Sequence, residues 1–468
     1  MAVDGVDLDL FPGEIHALVG ENGAGKSTLA AIAFGALTPD AGSITAEGSV
    51  GLVHQHFELV GRLSVWQNIV LGREPKKGPF IDKAAAIARA RQLAAQNALE
   101  LDPLAIVEVL PVGVQQRVEL LKELNREPRV LLLDEPTATL APAEIDAFFV
   151  TIEKLARAGT AVLIVTHKLK EVIAHTQLVT VMRAGKMVAH FATAQTSVEA
   201  IARAMVGGEL PLIAAREATT VYPTLRVERV AASEGGRALR GVSLEVGRGE
   251  IVGIAGVEGN GQTLLADAIA GVIPYDGTIS LEGTLLPPAD PTAHLRAGIR
   301  AIAQDRQHEA MIAGWSLAEN VVLGDQRTSV YARGITLDLS AARLRAREII
   351  QRFDVRTPSE TTTMGNLSGG NQQKVIVGRA LLGDPKVVVA YQPTRGIDIG
   401  AAALVHSRLI EARNSGVAVL LISFELDELL ALADRIIVMY GGEAVGHFER
   451  AAFDRERIGE LMAGLRRA

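Results

Sequence analysis

Short apolar runs along the chain predict the strands of a mostly parallel sheet. Residues 15–19, 130–133 and 161–165 are largely hydrophobic runs bounded by polar or turn residues, a pattern typical of strands buried on both faces. Residues 3–10 instead alternate apolar and polar side chains, which predicts a half-buried strand, and residues 43–46 also have strand character. The sequence therefore predicts a sheet whose central strands lie inside the protein.

Helical segments alternate with these strands. Residues 28–36 are small and apolar and suit a helix. Residues 57–125 are largely helical in pattern, with an alanine-rich stretch at 84–99. Strands that alternate with helices indicate an α/β protein. The long helical stretch interrupts this alternation, and it predicts a separate helical subdomain.

A glycine-rich sequence lies between the first buried strand and the first helix. Its pattern, G-x-x-x-x-G-K-S, is typical of a loop whose backbone N–H groups bind phosphate at a helix N-terminus. In such a loop Lys26 reaches the β- and γ-phosphate oxygens, and Ser27 ligates Mg²⁺. A chance match is the alternative, but the flanking strand and helix argue against it. The residues predicted to bind ATP here are Gly20, Glu21, Asn22, Gly23, Ala24, Gly25, Lys26, Ser27 and Thr28.

Two carboxylates follow the strand predicted at 130–133. After a phosphate loop, such a pair fits Asp134 as a ligand of Mg²⁺ and Glu135 as the base that activates the attacking water. Simple solvation of a strand end is the alternative interpretation of an isolated Asp-Glu pair. The preceding phosphate loop favours the catalytic interpretation.

Gln55 and His167 are further candidates at strand ends. Gln55 can ligate Mg²⁺ or orient the attacking water, although a glutamine at such a place is by default a surface residue. His167 can contact the γ-phosphate, but taken alone it is more often structural. His54 and His56 suggest a metal site, yet two histidines without a third ligand are more often structural.

The sequence then repeats itself, which indicates two copies of one nucleotide-binding domain. The phosphate loop at 20–27 recurs in altered form at 256–263. The second copy has more residues than the first between its phosphate loop and the strand that corresponds to residues 130–133. The predicted organisation is a first domain at 1–210, a short polar linker at 211–223 and a second domain at 224–468.

Composition narrows the class of protein. A chain of 468 residues is long enough for two domains, and 48% hydrophobic residues supply ample core. The net charge of −7 argues against a nucleic-acid partner, and the absence of cysteine excludes disulfides and thiolate metal sites. No run of about 18 uninterrupted apolar residues occurs, so the sequence predicts a soluble chain unless a partner holds it at a membrane.

The repeated motifs resemble those of the ATP-binding-cassette (ABC) superfamily across the whole chain. Residues 367–374, LSGGNQQK, are similar to its signature motif, and residues 115–117 match it less fully. The resemblance implies an α/β fold of tandem duplicated ABC-type P-loop ATPase domains, each with a RecA-like core, an antiparallel β subdomain and a helical signature subdomain. It also implies that the signature of one copy faces the γ-phosphate of ATP bound by the other. The signature residues assigned to ATP are Ser368, Gly369, Gly370 and Gln372.

A closer resemblance is to the tandem ATPases of bacterial importers for nucleosides and simple sugars. Residues 53–57 and 166–172 look most like the nucleoside branch. The resemblance implies an ATPase that couples ATP hydrolysis to nucleoside uptake, with a simple-sugar importer as the alternative. ATP and Mg²⁺ are the implied cofactors. The implied partners are integral-membrane permeases and, indirectly, an extracytoplasmic substrate-binding lipoprotein, with no nucleic acid and a peripheral position on the cytoplasmic face of the plasma membrane.

The two copies depart from the superfamily pattern at different motifs. In the second copy Gln262 replaces the lysine, Tyr391 and Gln392 replace the acidic pair, and Phe424 replaces the histidine. In the first copy Pro111 replaces the signature serine. The resemblance therefore implies one competent ATP site, which combines the loop and acidic pair of the first copy with the signature of the second. The other site is expected to hydrolyse almost no ATP.

The first copy lacks the strand and the aromatic residue that stack on adenine ahead of the phosphate loop in the superfamily. Either the native start lies upstream of Met1 or the first site holds adenine weakly. We expect an N-terminally extended form to bind ATP more tightly if the first explanation is correct.

A soluble tandem ATPase that acts on ribosomes or nucleic acid is the main alternative function. Such proteins usually keep both sites intact and join their copies by a long charged helical linker. Here the linker between the two copies is short, one of the two ATP sites has lost its catalytic residues, and the net charge is negative. A nucleotide-sensing scaffold without turnover is a third possibility, which the intact first loop disfavours.

Overall fold

The computed structural model forms two compact units, Met1–Leu210 and Pro211–Ala468. Each unit has hydrophobic core clusters of its own. Of the linker predicted at 211–223, only residues 215, 222 and 223 are described. The residues that the structure describes are 2–21, 23–54, 57–97, 99–137, 140, 142–208, 215, 222–326, 328, 330–333 and 336–465.

The first unit is built on one six-stranded sheet with the order β2-β5-β6-β1-β7-β8, parallel except for β8. The strands predicted at 15–19, 130–133 and 161–165 are confirmed as β1, β5 and β6, which form the centre of this sheet. Its elements are β1 (Ile15–Gly20), α1 (Lys26–Phe34), β2 (Val50–Val53), α2 (Val65–Val70), β3 (Lys76–Lys77), β4 (Phe80–Ile81), α3 (Lys83–Gln96), α4 (Val112–Leu124), β5 (Val130–Asp134), α5 (Pro142–Arg157), β6 (Ala161–Val165), α6 (Leu169–His175), β7 (Leu178–Arg183), β8 (Lys186–Ala192) and α7 (Val198–Val206).

Glycines set both ends of α1, the helix predicted at 28–36. Gly25 has a left-handed backbone (φ 98°) and lets the chain turn from the loop directly into the helix at Lys26. Gly35 (φ 87°) ends the helix, and its N–H donates to the carbonyls of Ala31 and Ile32. The predicted helical subdomain is confirmed, since α2 packs against both α3 and α4.

The second unit repeats this sheet in the order β14-β17-β18-β11-β19-β20 and adds a four-stranded antiparallel sheet, β10-β9-β12-β13. Its elements are β9 (Pro223–Glu234), β10 (Arg237–Gly247), β11 (Ile251–Ala255), α8 (Gln262–Ile269), β12 (Asp276–Leu281), β13 (Thr284–Leu285), α9 (Pro291–Ala297), β14 (Ile299–Ile302), α10 (Leu317–Val321), β15 (Ala332–Arg333), β16 (Thr336–Leu337), α11 (Leu339–Arg352), α12 (Gly369–Leu382), β17 (Val387–Tyr391), α13 (Ile399–Asn414), β18 (Ala418–Ile422), α14 (Leu426–Leu432), β19 (Arg435–Tyr440), β20 (Glu443–Glu449) and α15 (Arg455–Met462).

The two units share their strand register as well as their strand order. In the first unit Asp134 of β5 lies opposite Val165 of β6. In the second unit Tyr391 of β17 lies opposite Ile422 of β18. The predicted α/β fold with a duplicated domain is therefore confirmed. Across the described ranges, no helix combines the length and hydrophobicity needed to cross a bilayer.

The strands predicted at 3–10 and 43–46 are wrong, because neither segment is in a strand. The alternation at 3–10 nevertheless marks a half-buried face, since Val6, Leu8 and Leu10 are partly buried against the core beside β1. The corresponding strand of the second unit, β10, pairs with β9. In the first unit residues 3–10 pair with no strand of the described residues, and a segment without a neighbouring strand forms no hydrogen-bonded ladder.

A chain of polar side chains crosses three strands of the first unit, buried at His16 and Thr180 and exposed at His190. His16 on β1 is 1% exposed, and its ring is hydrogen-bonded to Glu14 through Nδ1 (3.0 Å) and to Thr180 through Nε2 (2.8 Å). The Thr180 hydroxyl also contacts His190 Nδ1 (2.9 Å). Burial, with the charge of His190, lowers the pKa of His16 to about 4.

We expect the first unit to lose stability as the pH falls from 6.5 towards 4. In this range the unfolded chain protonates His16 and the folded chain does not, so the free energy of unfolding falls by about 2 kcal/mol between pH 7.5 and pH 5. Urea unfolding of a Trp315→Phe background, followed by the fluorescence of buried Trp66, measures the first unit.

The matched control is His16→Val with Thr180→Ile, because Val252 and Ile437 occupy the equivalent strand positions in the second unit. This double variant should unfold with a flatter pH dependence over the same range. An unchanged slope would show that a group other than His16 controls the loss of stability in acid. Glu14 is not that group, because a carboxyl whose pKa is raised by burial stabilises the folded chain as the pH falls.

Candidate functional site

The predicted phosphate loop lies between β1 and α1, at the edge of the sheet where the parallel strands end. All of β1 is buried, and the loop leaves it at Gly20. Lys26 is the first residue of α1, so the first backbone N–H groups of the helix face the loop. Asn22 was also predicted to bind ATP, and it lies outside the described residues. The local fold is that of a phosphate-binding turn.

The Lys26 ammonium lies within this loop. Lys26 is 6% exposed, and its Nζ donates to the carbonyls of Gly20 (2.7 Å) and Glu21 (3.1 Å). Burial lowers the pKa of Lys26, and the carboxylates of Glu135, Asp134 and Glu21 oppose this shift. The ammonium is thus held beside the loop backbone and the acidic pair.

Asp134 and Ser27 form a pair that fits a divalent cation. Asp134 ends β5, and it accepts a hydrogen bond from the Ser27 hydroxyl. Its buried Oδ1 has no hydrogen-bond partner among the described residues, and burial raises its pKa. One carboxylate and one hydroxyl are the protein ligands that Mg²⁺ takes beside a nucleotide. The residues present therefore fit Mg²⁺, and no cluster of three or more acidic or histidine ligands occurs within the described ranges.

Glu135 and His167 lie together beside this pair. His167 Nδ1 is 3.0 Å from Glu135 Oε1, and Glu135 has a left-handed backbone (φ 48°) fixed by its N–H to the carbonyl of Val165 (2.8 Å). Burial raises the pKa of Glu135, but the hydrogen bond and charge of His167, together with nearby lysines, lower it below its usual value. The carboxylate is therefore ionised at neutral pH and can accept a proton. Gln55 lies outside the described residues.

The second unit places different side chains at the equivalent positions. Gln262 is 1% exposed, and its Nε2 donates to the carbonyl of Val257 (3.2 Å). The Tyr391 hydroxyl at the end of β17 is hydrogen-bonded to Thr263 (3.0 Å). Phe424 packs edge-on against Tyr391, with 6.1 Å between the ring centroids. This loop therefore has no ammonium and no carboxylate at the places that Lys26, Asp134 and Glu135 occupy in the first unit.

The predicted signature residues open α12 in the second unit. Ser368 is the N-cap of α12 and is exposed, and its Oγ accepts a hydrogen bond from Asn371 Nδ2 (2.9 Å). Gly370 is buried in the first turn. Gln372 points into the unit, where its Nε2 donates to two backbone carbonyls (both 3.1 Å). Ser368 and the first N–H groups of α12 therefore present a surface for an anion, while Gln372 fixes the loop before the helix.

Sequence reasoning missed Arg306, whose guanidinium lies over the signature helix. A Cβ on Gly369 would come within 2.5 Å of Arg306 Nη2. Arg306 Nη1 donates to the carbonyl of Arg395 (3.3 Å), in the loop after β17. The only signal in the sequence is its position two residues after Gln304, which matches Gln55 of the first copy.

A threonine–glutamate hydrogen bond was also missed, and it occurs in both units. The Thr137 hydroxyl donates to Glu171 (2.6 Å), which ties the loop after Glu135 to α6. The Thr394 hydroxyl donates to Glu428 (2.7 Å) in the same way. The equal spacing of these residues in the two copies is the sequence signal that could have identified the pair.

Comparison with known proteins agrees with this geometry. A family described as ABC transporter matches residues 3–138 and 239–395. The nucleoside import ATP-binding protein NupA of Lactococcus lactis is 38% identical over 99% of this chain and 95% of its own length. The guanosine import ATP-binding protein NupO of Bacillus subtilis is 39% identical over 99% and 94%. The ribose import ATP-binding protein RbsA 1 of Rubrobacter xylanophilus is 38% identical over 98% and 94%.

Solved structures of similar fold include proteins with another role. An archaeal ribosome recycling factor, aABCE1, matches with a TM-score of 0.68 at 17% identity, over 98% of this chain and 89% of its own. A protein titled RNase-L Inhibitor matches with a TM-score of 0.65 at 18% identity. At such identities the likeness concerns the fold alone. The family match and the relatives that align over nearly the full length together establish that this chain belongs to the ABC transporter family, with two of its ATPase domains in tandem.

Proposed function

We propose that this chain is the ATP-hydrolysing subunit of an importer that takes up nucleosides through membrane permeases. The observation that carries the proposal is the arrangement of Lys26, Asp134, Glu135 and His167 around the phosphate loop of the first unit. Lys26 lies in the phosphate loop, a buried oxygen of Asp134 has no partner within the described part of the chain, and Glu135 is ionised beside His167. Full-length relatives whose names assign them to import support coupling of this ATPase to transport.

Each group of the first unit has a distinct role in this proposal. Lys26 binds the phosphate oxygens, and Ser27 and Asp134 hold Mg²⁺. Bound Mg²⁺ supplies charge neutralisation on the β- and γ-phosphates. Glu135 accepts the proton of the attacking water, and His167 fixes the orientation of the Glu135 carboxylate through their 3.0 Å hydrogen bond. Gln55 is proposed as a further Mg²⁺ or water contact.

The signature segment of the second copy is proposed to complete hydrolysis at the first. Ser368, Gly369 and Gly370 would donate to the γ-phosphate, as the resemblance to the family implies. The direct partners would be integral-membrane permeases, with a substrate-binding lipoprotein as the indirect one. The chain would then lie at the cytoplasmic face of the membrane and bind no nucleic acid.

A simple-sugar importer is the second candidate, because relatives named for ribose import match as well as those named for nucleosides. Their identities are 38% and 39% in both groups. Nucleosides are favoured by residues 53–57 and 166–172, which resemble the nucleoside branch.

The test is to co-express the chain with the permeases and binding protein encoded by its neighbouring genes and to reconstitute the complex in liposomes. We expect ATPase activity to rise with binding protein loaded with nucleoside, and not with ribose or galactose. Stimulation by a sugar instead would select the second candidate. Stimulation by ribosomes, or membrane binding without the permeases, would contradict a role in transport.

A further inference from the structure

The second unit keeps the backbone of a phosphate loop although its side chains have changed. Gly259 (φ 95°) and Gly261 (φ 97°) repeat the left-handed turns of Gly23 (φ 80°) and Gly25 (φ 98°). The eight-residue helix α8 begins directly after Gly261, as α1 begins after Gly25. The backbone donors that cradle a phosphate are thus present in both units.

A neutral amide has taken the place of the lysine. Gln262 Nε2 donates to the carbonyl of Val257 at 3.2 Å, and in the first unit Lys26 Nζ donates to the equivalent carbonyl of Glu21 at 3.1 Å. Gln262 therefore repeats the lysine contact within the loop without its charge. Of its two amide hydrogens, the one that does not bond Val257 is suited to a phosphate oxygen.

The residues of the second unit do not fit Mg²⁺. Tyr391 stands where Asp134 stands in the first unit, and its hydroxyl is already paired with Thr263, the residue equivalent to Ser27. Tyr391 is 5% exposed, and burial raises its pKa, so the phenol stays neutral. A neutral phenol that is paired with the loop hydroxyl replaces the carboxylate that Mg²⁺ requires.

An unpaired buried donor lies at the next position. Gln392 is 6% exposed, and its Nε2 has no hydrogen-bond partner among the described residues. Gln392 has a left-handed backbone (φ 50°), and its N–H donates to the carbonyl of Ile422 (2.8 Å), as Glu135 does to Val165 in the first unit. Glu135 lies close enough to Lys26 to affect the pKa of that lysine. An unpaired buried amide costs free energy unless it finds an acceptor, and a phosphate bound in the loop would supply one.

We infer that the second unit binds the phosphates of a nucleotide without a divalent cation. The replacements remove the lysine and the metal site together with both carboxylates, so an anion meets neutral donors at these positions. The acids whose charges still act on Tyr391 are Glu258 and Asp267, and Arg237 opposes them. In the first unit, by contrast, Asp134 and Glu135 would repel the phosphates unless Mg²⁺ lay between them. This inference does not depend on the transported substrate.

The test uses photolabelling of the full chain with 8-azido-ATP, in Mg²⁺ and in EDTA, followed by mass-spectrometric assignment of labelled peptides to each unit. We expect half-saturation of second-unit peptides to change by less than about twofold between the two conditions, and that of first-unit peptides to rise by about tenfold or more in EDTA. Equal weakening of both units by EDTA, or no second-unit labelling at millimolar 8-azido-ATP in EDTA, would overturn the inference.

Two variants locate the effect. Tyr391→Asp should make labelling of the second unit depend on Mg²⁺, whereas Tyr391→Phe should leave it independent of the metal. Should Tyr391→Asp fail to fold, as a thermal melt would reveal, Gln262→Glu provides the second test. That nearly isosteric change places a carboxylate against the phosphates and should abolish labelling in EDTA. Unchanged labelling of Gln262→Glu would show that the loop is not the binding site.

Discussion

Lys26→Ala is expected to abolish ATP hydrolysis by the full-length chain. Lys26 is buried in the phosphate loop, and its ammonium is within 2.7 Å of the Gly20 carbonyl. No other lysine of the sequence lies in a phosphate-loop motif. Loss of one preorganised donor to a transition state commonly lowers the rate by about 10²–10³. Phosphate release by the complex with its permeases measures the effect.

The matched control is Gln262→Ala in the second unit. Gln262 occupies the same position in its loop and is also buried, so this variant likewise removes a buried polar side chain from a loop. We expect it to change turnover only modestly, because the second unit lacks the acidic pair. Near-normal hydrolysis by Lys26→Ala would show that the active copy has been assigned wrongly.

The sequence predicted the sheet well where burial alone decides the structure. The runs that became β5 and β6 are hydrophobic on both faces, and only the centre of a parallel sheet buries such runs. At residues 3–10 the pattern correctly predicted a buried face but wrongly predicted a strand. Burial is encoded in the alternation of the segment itself, whereas a strand also requires a partner, which a local pattern does not specify.

The chemistry of the site was predicted more fully than its internal contacts. The loop motif and the acidic pair identified Lys26, Asp134 and Glu135 because motif spacing follows directly from the chain. The bond between His167 and Glu135 joins residues that are 32 positions apart. Such a contact depends on side-chain orientations at the ends of β5 and β6, which the sequence pattern does not determine.

The same limit explains Tyr391. In the sequence it is only a lost carboxylate, and the resemblance to the family therefore predicts a site that binds nucleotide weakly or passively and hydrolyses almost none. The structure shows that its hydroxyl bonds the loop residue Thr263, 128 positions earlier. The Tyr391 phenol thus pairs with the Thr263 hydroxyl, whose counterpart Ser27 is a proposed Mg²⁺ ligand in the first unit. The second unit has therefore replaced the metal site by a hydrogen bond between two neutral side chains.

The second large effect on ATP hydrolysis is expected from substitutions in the signature segments. Ser368 and Pro111 are the N-caps of α12 and α4, which occupy equivalent places in the two units, and both are exposed. Under the proposed function, Ser368→Arg should lower ATP hydrolysis by about 10²-fold or more, because it would remove the hydroxyl and cover the first N–H groups of α12, which are proposed to bind the γ-phosphate. ATP binding at Lys26 should remain largely intact.

Pro111→Arg adds the same side chain at the start of α4 and should leave most of the activity. The first copy has no signature serine to lose, and the copy that it would serve has no catalytic carboxylate, since Tyr391 and Gln392 replace the acidic pair. Both variants are compared by ATPase rate in the assembled complex and by nucleotide binding to the isolated chain. Equal damage from the two substitutions would contradict a single competent site. Greater damage from Pro111→Arg would reverse the assignment, because the signature of the first copy would then be the one that hydrolysis requires.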